Sequence, residues 1–192
     1  MTMKKAFTII ELMMVIAIVG VLLGIITTAA AGSIRQARER RASSCCAVVQ
    51  QGLATYYAQY GKWPGSIGSR IESGNLGSRN NTEGANYQSD DNKYILNASE
   101  ANEMIRELIM EAKKGNPLMD ISGLFVSRHS GEPGSRDRGL DFMSAVRGTE
   151  TSPKRMKTAE MNFGYPESSH GYFRRFKITY SIPTDEMSVS TQ

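Results

Sequence analysis

The chain has little cysteine and little histidine. Its 192 residues include two of each, and the cysteines, Cys45 and Cys46, are adjacent. Neighbouring residues on a helix do not face one another, so a disulfide between these two would distort a helix. His129 and His170 lie in segments rich in Gly and Ser, with no Cys, His or acid nearby at metal-ligand spacing. The cysteines are most simply two small apolar residues of a helix, with an intersubunit disulfide or lipidation as the alternatives, and the histidines do not predict a metal centre.

Sequence motifs of common enzymes are also missing. The chain contains no nucleophile elbow, no phosphate-binding loop and no glycine signature of a dinucleotide site. Single histidines in loops are usually solvated rather than catalytic. The sequence therefore predicts a protein that is not an enzyme, with no catalytic residue, no metal ligand and no cofactor.

The basic charge is confined to one end. The formal net charge is +4, yet from Ala42 onward 17 Lys and Arg residues balance 17 Asp and Glu residues. The surplus comes from Lys4 and Lys5 and from the arginines at 35, 38, 40 and 41. Because nucleic-acid affinity is largely electrostatic, a neutral C-terminal part does not predict nucleic-acid binding.

No charged residue occurs from Leu12 to Ile34. These 23 residues, as a helix rising ~1.5 Å per residue, span roughly 35 Å. A bilayer core of about 30 Å requires around 20 such residues. The segment is therefore long enough to cross a membrane once.

Glu11 stands at the start of this apolar segment. A secretory signal peptide, with Ala29-Ala30-Ala31-Gly32 as its cleavage site, does not fit so long an apolar run or so early an acid. A plain N-terminal anchor fits the length but leaves Glu11 unexplained. A carboxylate inside an apolar helix is costly and tends to be functional, and a helix N-terminus offsets part of that cost.

Residues Lys5-Ala6-Phe7-Thr8-Ile9-Ile10-Glu11-Leu12 resemble the cleavage and methylation motif of type IV pilins and type II secretion pseudopilins. The resemblance implies that prepilin peptidase cleaves after Ala6, where the family usually has Gly. Phe7 then becomes the methylated N-terminus, and Glu11 is the fifth mature residue. In this family that carboxylate meets the N-terminal amine of a neighbouring subunit, which sets filament register.

Two arguments give opposite orientations for the C-terminal part of the chain across the membrane. Two lysines before the apolar segment and four arginines after it would keep the C-terminal part in the cytoplasm by the positive-inside rule. The family resemblance implies the opposite, namely a single pass through the bacterial inner membrane with the C-terminal domain in the periplasm. We favour the second, because the motif is more specific than a difference of two charges.

The apolar helix is predicted to continue to about residue 60. Apolar residues recur at helical spacing from Ala42 to Tyr60, and Gly61 and Pro64 are typical of a helix end. Gly20 and Gly24 form a small-xxx-small pair that lets helices approach closely. Thr28 occupies the position where many family members have a proline.

Four segments are predicted: a leader (1–6), a transmembrane or filament-core helix (7–34), its amphipathic continuation (35–62) and a globular periplasmic head (63–192). In the head we expect a loop from Gly65 to Asn92 and a second helix capped by Asn97 or Ser99. Strand candidates are 157–163, 172–182 and 187–190. The fold class is α+β and pilin-like: one long N-terminal helix, with its hydrophobic half in the membrane, packed against a small antiparallel sheet.

The leading functional hypothesis is a structural pseudopilin that drives type II secretion by assembling into a filament. Its expected partners are further copies of itself, prepilin peptidase, an inner-membrane assembly platform and other pseudopilins. One alternative is a type IV pilus subunit, major or minor, for adhesion, motility or DNA uptake. The other is a membrane-anchored periplasmic binding protein that never polymerises.

Overall fold

The computed structural model describes residues 9–74, 76, 87–88, 92–129, 131, 135–147 and 156–191. Ala6 and Phe7 lie outside these residues. The chain divides into two compact units, residues 1–37 and residues 38–192, and the second contains the sheets. The fold is α+β, with a long N-terminal apolar helix and small antiparallel sheets. This confirms the predicted fold class.

Helix α1 runs without interruption over Ile9–Tyr60. Proline is absent from this range, so nothing removes a backbone donor or clashes with the preceding turn. The helix ends where Gly61 adopts a left-handed φ of 67° and its N–H donates to the Tyr57 carbonyl at 2.8 Å. This is the glycine C-cap expected from the sequence.

The later part of α1 presents one buried face in the head. The buried side chains follow the predicted three- and four-residue spacing: Ala42, Cys45, Cys46, Val49, Leu53 and Tyr56. Tyr57 is only half-buried and Tyr60 is exposed, so the predicted apolar face is correct as far as Tyr56.

A second short helix replaces the beginning of the predicted loop. Helix α2 spans Gly65–Glu72, and its N-cap residue, Pro64, makes no side-chain cap. The caps come instead from a distant helix: the Gly65 N–H donates to the Glu107 carboxylate, and the Ser66 N–H donates to Glu103 Oε1 at 3.1 Å. Because these partners are about forty residues away, local sequence carried no sign of this helix end.

Helix α3 spans Ala98–Lys113 and starts where predicted. The Asn97 side chain accepts from the Glu100 N–H, and the Glu100 carboxylate accepts from the Asn97 N–H, which completes a capping box. Four fully buried residues line its inner face: Met104, Ile105, Leu108 and Ile109. A 3₁₀ turn at Ile121–Gly123 and helix α4 at Phe142–Arg147 follow along the chain.

The head contains two four-stranded antiparallel sheets rather than the single sheet predicted. The strands are β1 (Tyr87–Gln88), β2 (Lys93–Ile95), β3 (Phe125–Ser127), β4 (Leu140–Asp141), β5 (Asn162–Pro166), β6 (Phe173–Arg175), β7 (Lys177–Ser181) and β8 (Glu186–Ser190). Sheet A has the order β1-β2-β7-β8, and sheet B has the order β4-β3-β5-β6.

The predicted strand at 172–182 is in fact two strands in two sheets. Strand β6 pairs with β5 in sheet B, and β7 pairs with β2 and β8 in sheet A. Buried Phe176 lies at the crossover between them. The predicted strand at 157–163 is also wrong in its bounds, because a 3₁₀ turn at Thr158–Glu160 precedes β5.

Gly52 of α1 packs closely against Met119 and against Leu108 of α3. A Cβ added there would lie 2.9 Å from Met119 Cβ and 3.3 Å from Leu108 Cδ1.

Replacing Gly52 with Ala gains about 0.5–1 kcal/mol of helix propensity but overpacks the core at a cost of roughly 1–3 kcal/mol. We expect Gly52→Ala to lower the unfolding free energy by about 1 kcal/mol or more in urea titrations. Gly123→Ala is the control, because nothing lies within 4 Å of its added Cβ. Equal stability of the two variants would contradict this packing.

Candidate functional site

The candidate assembly segment is the N-terminal part of α1. Glu11 lies in the first turn of this helix and is exposed. A carboxylate in the first turn is stabilised by the partial positive charge of the helix N-terminus. Ala6 and Phe7, the predicted cleavage pair, lie outside the described residues, so their roles stay predictions. Glu11 therefore lies both in the first turn of the helix and at the start of the apolar segment.

Large apolar side chains cover this segment and are exposed. From Ile9 to Ile26 they include Leu12, Ile16, Val21 and Leu23, each more than half exposed. Helix α1 is long and apolar enough to cross a membrane. Nothing lies within 4 Å of a Cβ built at Gly20 or Gly24, so space around both glycines is open within the chain. Their predicted role in helix packing stays a prediction.

Residues 1–27 match the family model of the prokaryotic N-terminal methylation motif. The chain carries a prepilin-type N-terminus. This motif is found in type IV pilins and pseudopilins, and it implies processing by prepilin peptidase and assembly with other pilins. No curated protein and no solved structure matches the chain significantly. The prepilin match covers the segment that contains Ala6, Phe7, Glu11, Gly20 and Gly24.

Two residues near the N-terminus differ from the usual pattern that the resemblance implies. Ala6 precedes the predicted cleavage point, and Thr28 stands where a helix-weakening proline is common. Helix α1 continues through this position, and the neighbouring Thr27 hydroxyl donates to the carbonyls of Leu23 and Gly24 at 3.0 Å. Such a side-chain bond to the preceding turn weakens a helix slightly and often bends it.

In the head, Asp185 ties the hairpin of sheet A to the end of α1. Its Oδ1 accepts from Trp63 Nε1 at 3.1 Å and from the Tyr180 hydroxyl at 2.9 Å, and its Oδ2 accepts from the Tyr57 hydroxyl at 2.5 Å. Partial burial raises the pKa of this carboxyl, but the three hydrogen bonds outweigh it and lower the pKa below the usual value of 3.8. Burial and the same hydrogen bond raise the pKa of Tyr180 to about 12.

Asp185 lies in the short segment between the predicted strands at 172–182 and 187–190. The residue has a left-handed φ of 50°, a conformation that Asp tolerates better than most residues. Its partner Trp63 lies 122 positions earlier, so no local spacing links the two. A hairpin turn is indicated by the residues Pro183-Thr184-Asp185-Glu186, but the contact of Asp185 with Trp63 is not.

A second carboxylate cluster joins α2, α3 and sheet A. Glu100 is buried, and its Oε1 accepts from Arg70 Nη1 at 2.5 Å and from the Tyr94 hydroxyl at 3.0 Å. The Arg70 guanidinium also lies 5.5 Å from the centre of the Tyr94 ring. The buried Glu100 carboxylate is thus compensated by an ion pair and by hydrogen bonds. These contacts fix the packing of α2.

Cys45 and Cys46 are buried free thiols. Cys45 Sγ donates to the Gly123 carbonyl at 3.3 Å. Burial raises the pKa of Cys46 to about 11, so this thiol is protonated at neutral pH and reacts slowly. The position of both side chains on the buried face of α1 supports a packing role.

The two histidines lie apart, at exposed positions. The His129 N–H donates to Ser127 Oγ, and the His170 ring stacks on Tyr172 with centroids 5.4 Å apart. Within the described ranges, no three His, Cys, Asp or Glu residues are grouped so that they could hold a metal ion. Arg174 of β6 is largely buried and pairs with Glu167 at 2.8 Å.

Proposed function

We propose that the chain is a structural subunit of a type II secretion-like pseudopilus, which drives protein secretion by filament assembly. The observation that carries the proposal is the prepilin motif at residues 1–27, which overlaps the start of an exposed apolar helix with Glu11 in its first turn. The absence of cysteine from the C-terminal half favours the pseudopilin branch, since many type IV pilins have a disulfide there.

In this proposal prepilin peptidase cuts after Ala6, and the Phe7 amine is then methylated. The chain waits in the inner membrane as a single-pass protein with its head in the periplasm. An assembly platform then moves it into a filament with other copies and other pseudopilins. There the Glu11 carboxylate pairs with the Phe7 amine of a neighbour, which neutralises a charge that lipid disfavours.

The arginines after the apolar segment support the periplasmic orientation. Two of the four are held by the head: Arg38 Nη1 donates to the Ser169 carbonyl at 3.0 Å, and Arg41 pairs with Asp141. The Arg41 guanidinium also lies 5.1 Å from the centre of the Phe125 ring. Side chains with such contacts are structural parts of the head. This weakens the comparison of basic residues before and after the apolar segment, which placed the domain in the cytoplasm.

The role in this proposal is mechanical, and the chain itself catalyses no reaction. Apolar helices form the fibre core, and the heads form its outer surface.

Deletion of the gene tests the secretion role. We expect exported proteins to accumulate in the periplasm, with pili and surface motility unchanged, and a plasmid copy to restore secretion. Loss of pili or motility with normal secretion would instead assign the chain to a type IV pilus. Unchanged secretion, pili and motility, together with an uncut N-terminus, would leave the anchored binding protein as the surviving hypothesis.

A further inference from the structure

Helix α2 is weakly favoured by its own sequence. Its eight residues, Gly-Ser-Ile-Gly-Ser-Arg-Ile-Glu, include two glycines and two serines. Glycine in a helix interior, as at Gly68, is unfavourable relative to alanine. Isolated helices shorter than about 12 residues are marginal in water even with favourable sequences. No side chain at the N-cap position completes its N-terminus. Helix α2 is therefore helical because of its contacts with the rest of the head.

Two glutamates of α3 hold the first turn of α2. Glu107 accepts from the Gly65 N–H. Glu103 accepts from the N–H and from the hydroxyl of Ser66, at 3.1 Å and 2.6 Å. Carboxylates near a helix N-terminus also interact favourably with its partial positive charge. Both acceptors belong to another helix, so α2 loses its cap whenever it moves away from α3.

An ion pair holds the last turn of α2. Arg70 Nη1 donates to the buried Glu100 carboxylate at 2.5 Å. Glu100 also accepts from the Tyr94 hydroxyl and from the Asn97 N–H, each at 3.0 Å. Breaking a buried ion pair is costly because it leaves a buried charge without compensation. Here the carboxylate keeps two donors that lie outside α2, which reduces that cost.

The carboxylates at the first turn also keep partners without α2. Glu107 Oε1 accepts from the Tyr56 hydroxyl at 2.6 Å, and Glu103 is exposed to water. A large penalty arises when a buried acceptor is left without a donor, and that does not occur here. The main loss is the burial of Ile67, the fully buried side chain of α2. Helix α2 can therefore separate from α3 at a small cost compared with unfolding of the head.

The closed position of α2 covers part of the core. A Cβ built on Gly65 would lie 3.5 Å from Met104 Cγ of α3, and Met104 is fully buried. A Cβ built on Gly68 would overlap the carbonyl oxygen of Trp63. A residue with a Cβ at position 68 is therefore incompatible with the closed position.

We propose that α2 is a strap that opens and closes on α3 as one unit while the rest of the head stays folded. The glutamates of α3 hold the strap closed, and opening uncovers Met104. Because its own sequence does not keep α2 helical, opening and local unfolding are the same event. Local opening is expected where few apolar side chains are buried. The strap lies outside the prepilin segment, so the inference does not depend on filament assembly.

Hydrogen exchange measured by mass spectrometry tests the strap on the full-length protein in detergent micelles. Peptides that cover α2 should exchange at least about tenfold faster than peptides that cover 104–109 of α3. Glu103→Ala removes two hydrogen bonds to α2 and should raise exchange in α2 about fivefold, as for a lost helix cap. Gly68→Ala should remove the protection of α2 altogether. In both variants, exchange in α3 and in the two sheets should stay unchanged.

Ser69→Ala is the matched control. Ser69 is exposed and adjacent to Gly68, so alanine there favours the helix without hindering closure. We expect exchange in α2 to be unchanged or slower in this variant. The inference is overturned if α2 exchanges as slowly as α3 in the unaltered protein, or if Glu103→Ala leaves exchange in α2 unchanged. Equal acceleration of α2, α3 and the sheets in either variant would also overturn it, because α2 would then unfold only with the whole head.

Discussion

Replacing Glu11 with leucine is expected to leave membrane insertion intact and to reduce the yield of filaments at least about tenfold. In lipid the carboxylate costs up to about 2.5–3.5 kcal/mol, and this cost favours departure into a filament where the charge is paired. Leucine removes both the cost in lipid and the pairing, and ~1.4 kcal/mol already corresponds to a factor of ten. Carbonate extraction measures insertion, and sheared filaments measured by immunoblot give the yield.

A matched variant separates charge from general disturbance of the helix. Ile16→Leu changes an exposed apolar residue of the same helix without changing charge. We expect it to insert and assemble as the unaltered protein does. Normal filament yield from Glu11→Leu would contradict the register role of Glu11, whereas failure of both variants would indicate a packing effect instead.

Replacing Asp185 with alanine is expected to lower the unfolding free energy of the head by about 2 kcal/mol. The change removes three hydrogen bonds and leaves the buried Trp63 indole and Tyr180 hydroxyl without this acceptor. Hydrogen bonds to charged groups contribute roughly 1.5–3 kcal/mol each, and the exposed position of Asp185 reduces that value. Urea titration followed by Trp63 fluorescence measures the effect, because Trp63 is the single tryptophan.

Tyr57→Phe is the control for this loss. It removes one of the three hydrogen bonds and keeps the stacking of this ring on Trp63, where centroids are 4.4 Å apart. We expect a smaller loss of stability than for Asp185→Ala. A loss as large as that of Asp185→Ala would show that Tyr57, and not the shared carboxylate, holds the hairpin.

The contribution of Asp185 also depends on pH. Its pKa in the folded head lies below the ordinary value, so the unfolded chain binds the proton more tightly. The stabilisation is therefore present above the unfolded pKa of about 3.9 and is lost as pH falls through the folded pKa. The stability difference between the unaltered protein and Asp185→Ala should be constant from about pH 5 upward and shrink below pH 4. A difference independent of pH down to pH 2 would contradict a charged acceptor.

Local signals in the sequence were sufficient for the long elements. The charge-free run and the absence of proline predicted α1, and Gly61 marked its end. The sequence offered Asn97 or Ser99 as the cap of α3, and Asn97 is the cap, in a capping box that Glu100 completes three positions later. In the candidate assembly segment, the same short range sufficed to identify the prepilin motif from Phe7 and Glu11.

Contacts between distant residues account for what the sequence did not reveal. Helix α2 is capped by Glu103 and Glu107 of another helix, and Asp185 gathers donors from α1 and its own hairpin. The alternation through Phe176 looked continuous, yet the chain changes sheets there. Periodicity reports which face of a strand is buried, but not which strand it pairs with.

The mature N-terminus is the most direct test of the central claim. The protein is purified from membranes of a strain with active prepilin peptidase. Intact and peptide mass spectrometry then identify its N-terminal residue. The account predicts a chain that begins with N-methylated Phe7 and lacks residues 1–6, and a peptidase-deficient strain should retain the leader. A chain that still begins at Met1 in the peptidase-positive strain, or one cleaved after Ala31, would contradict it.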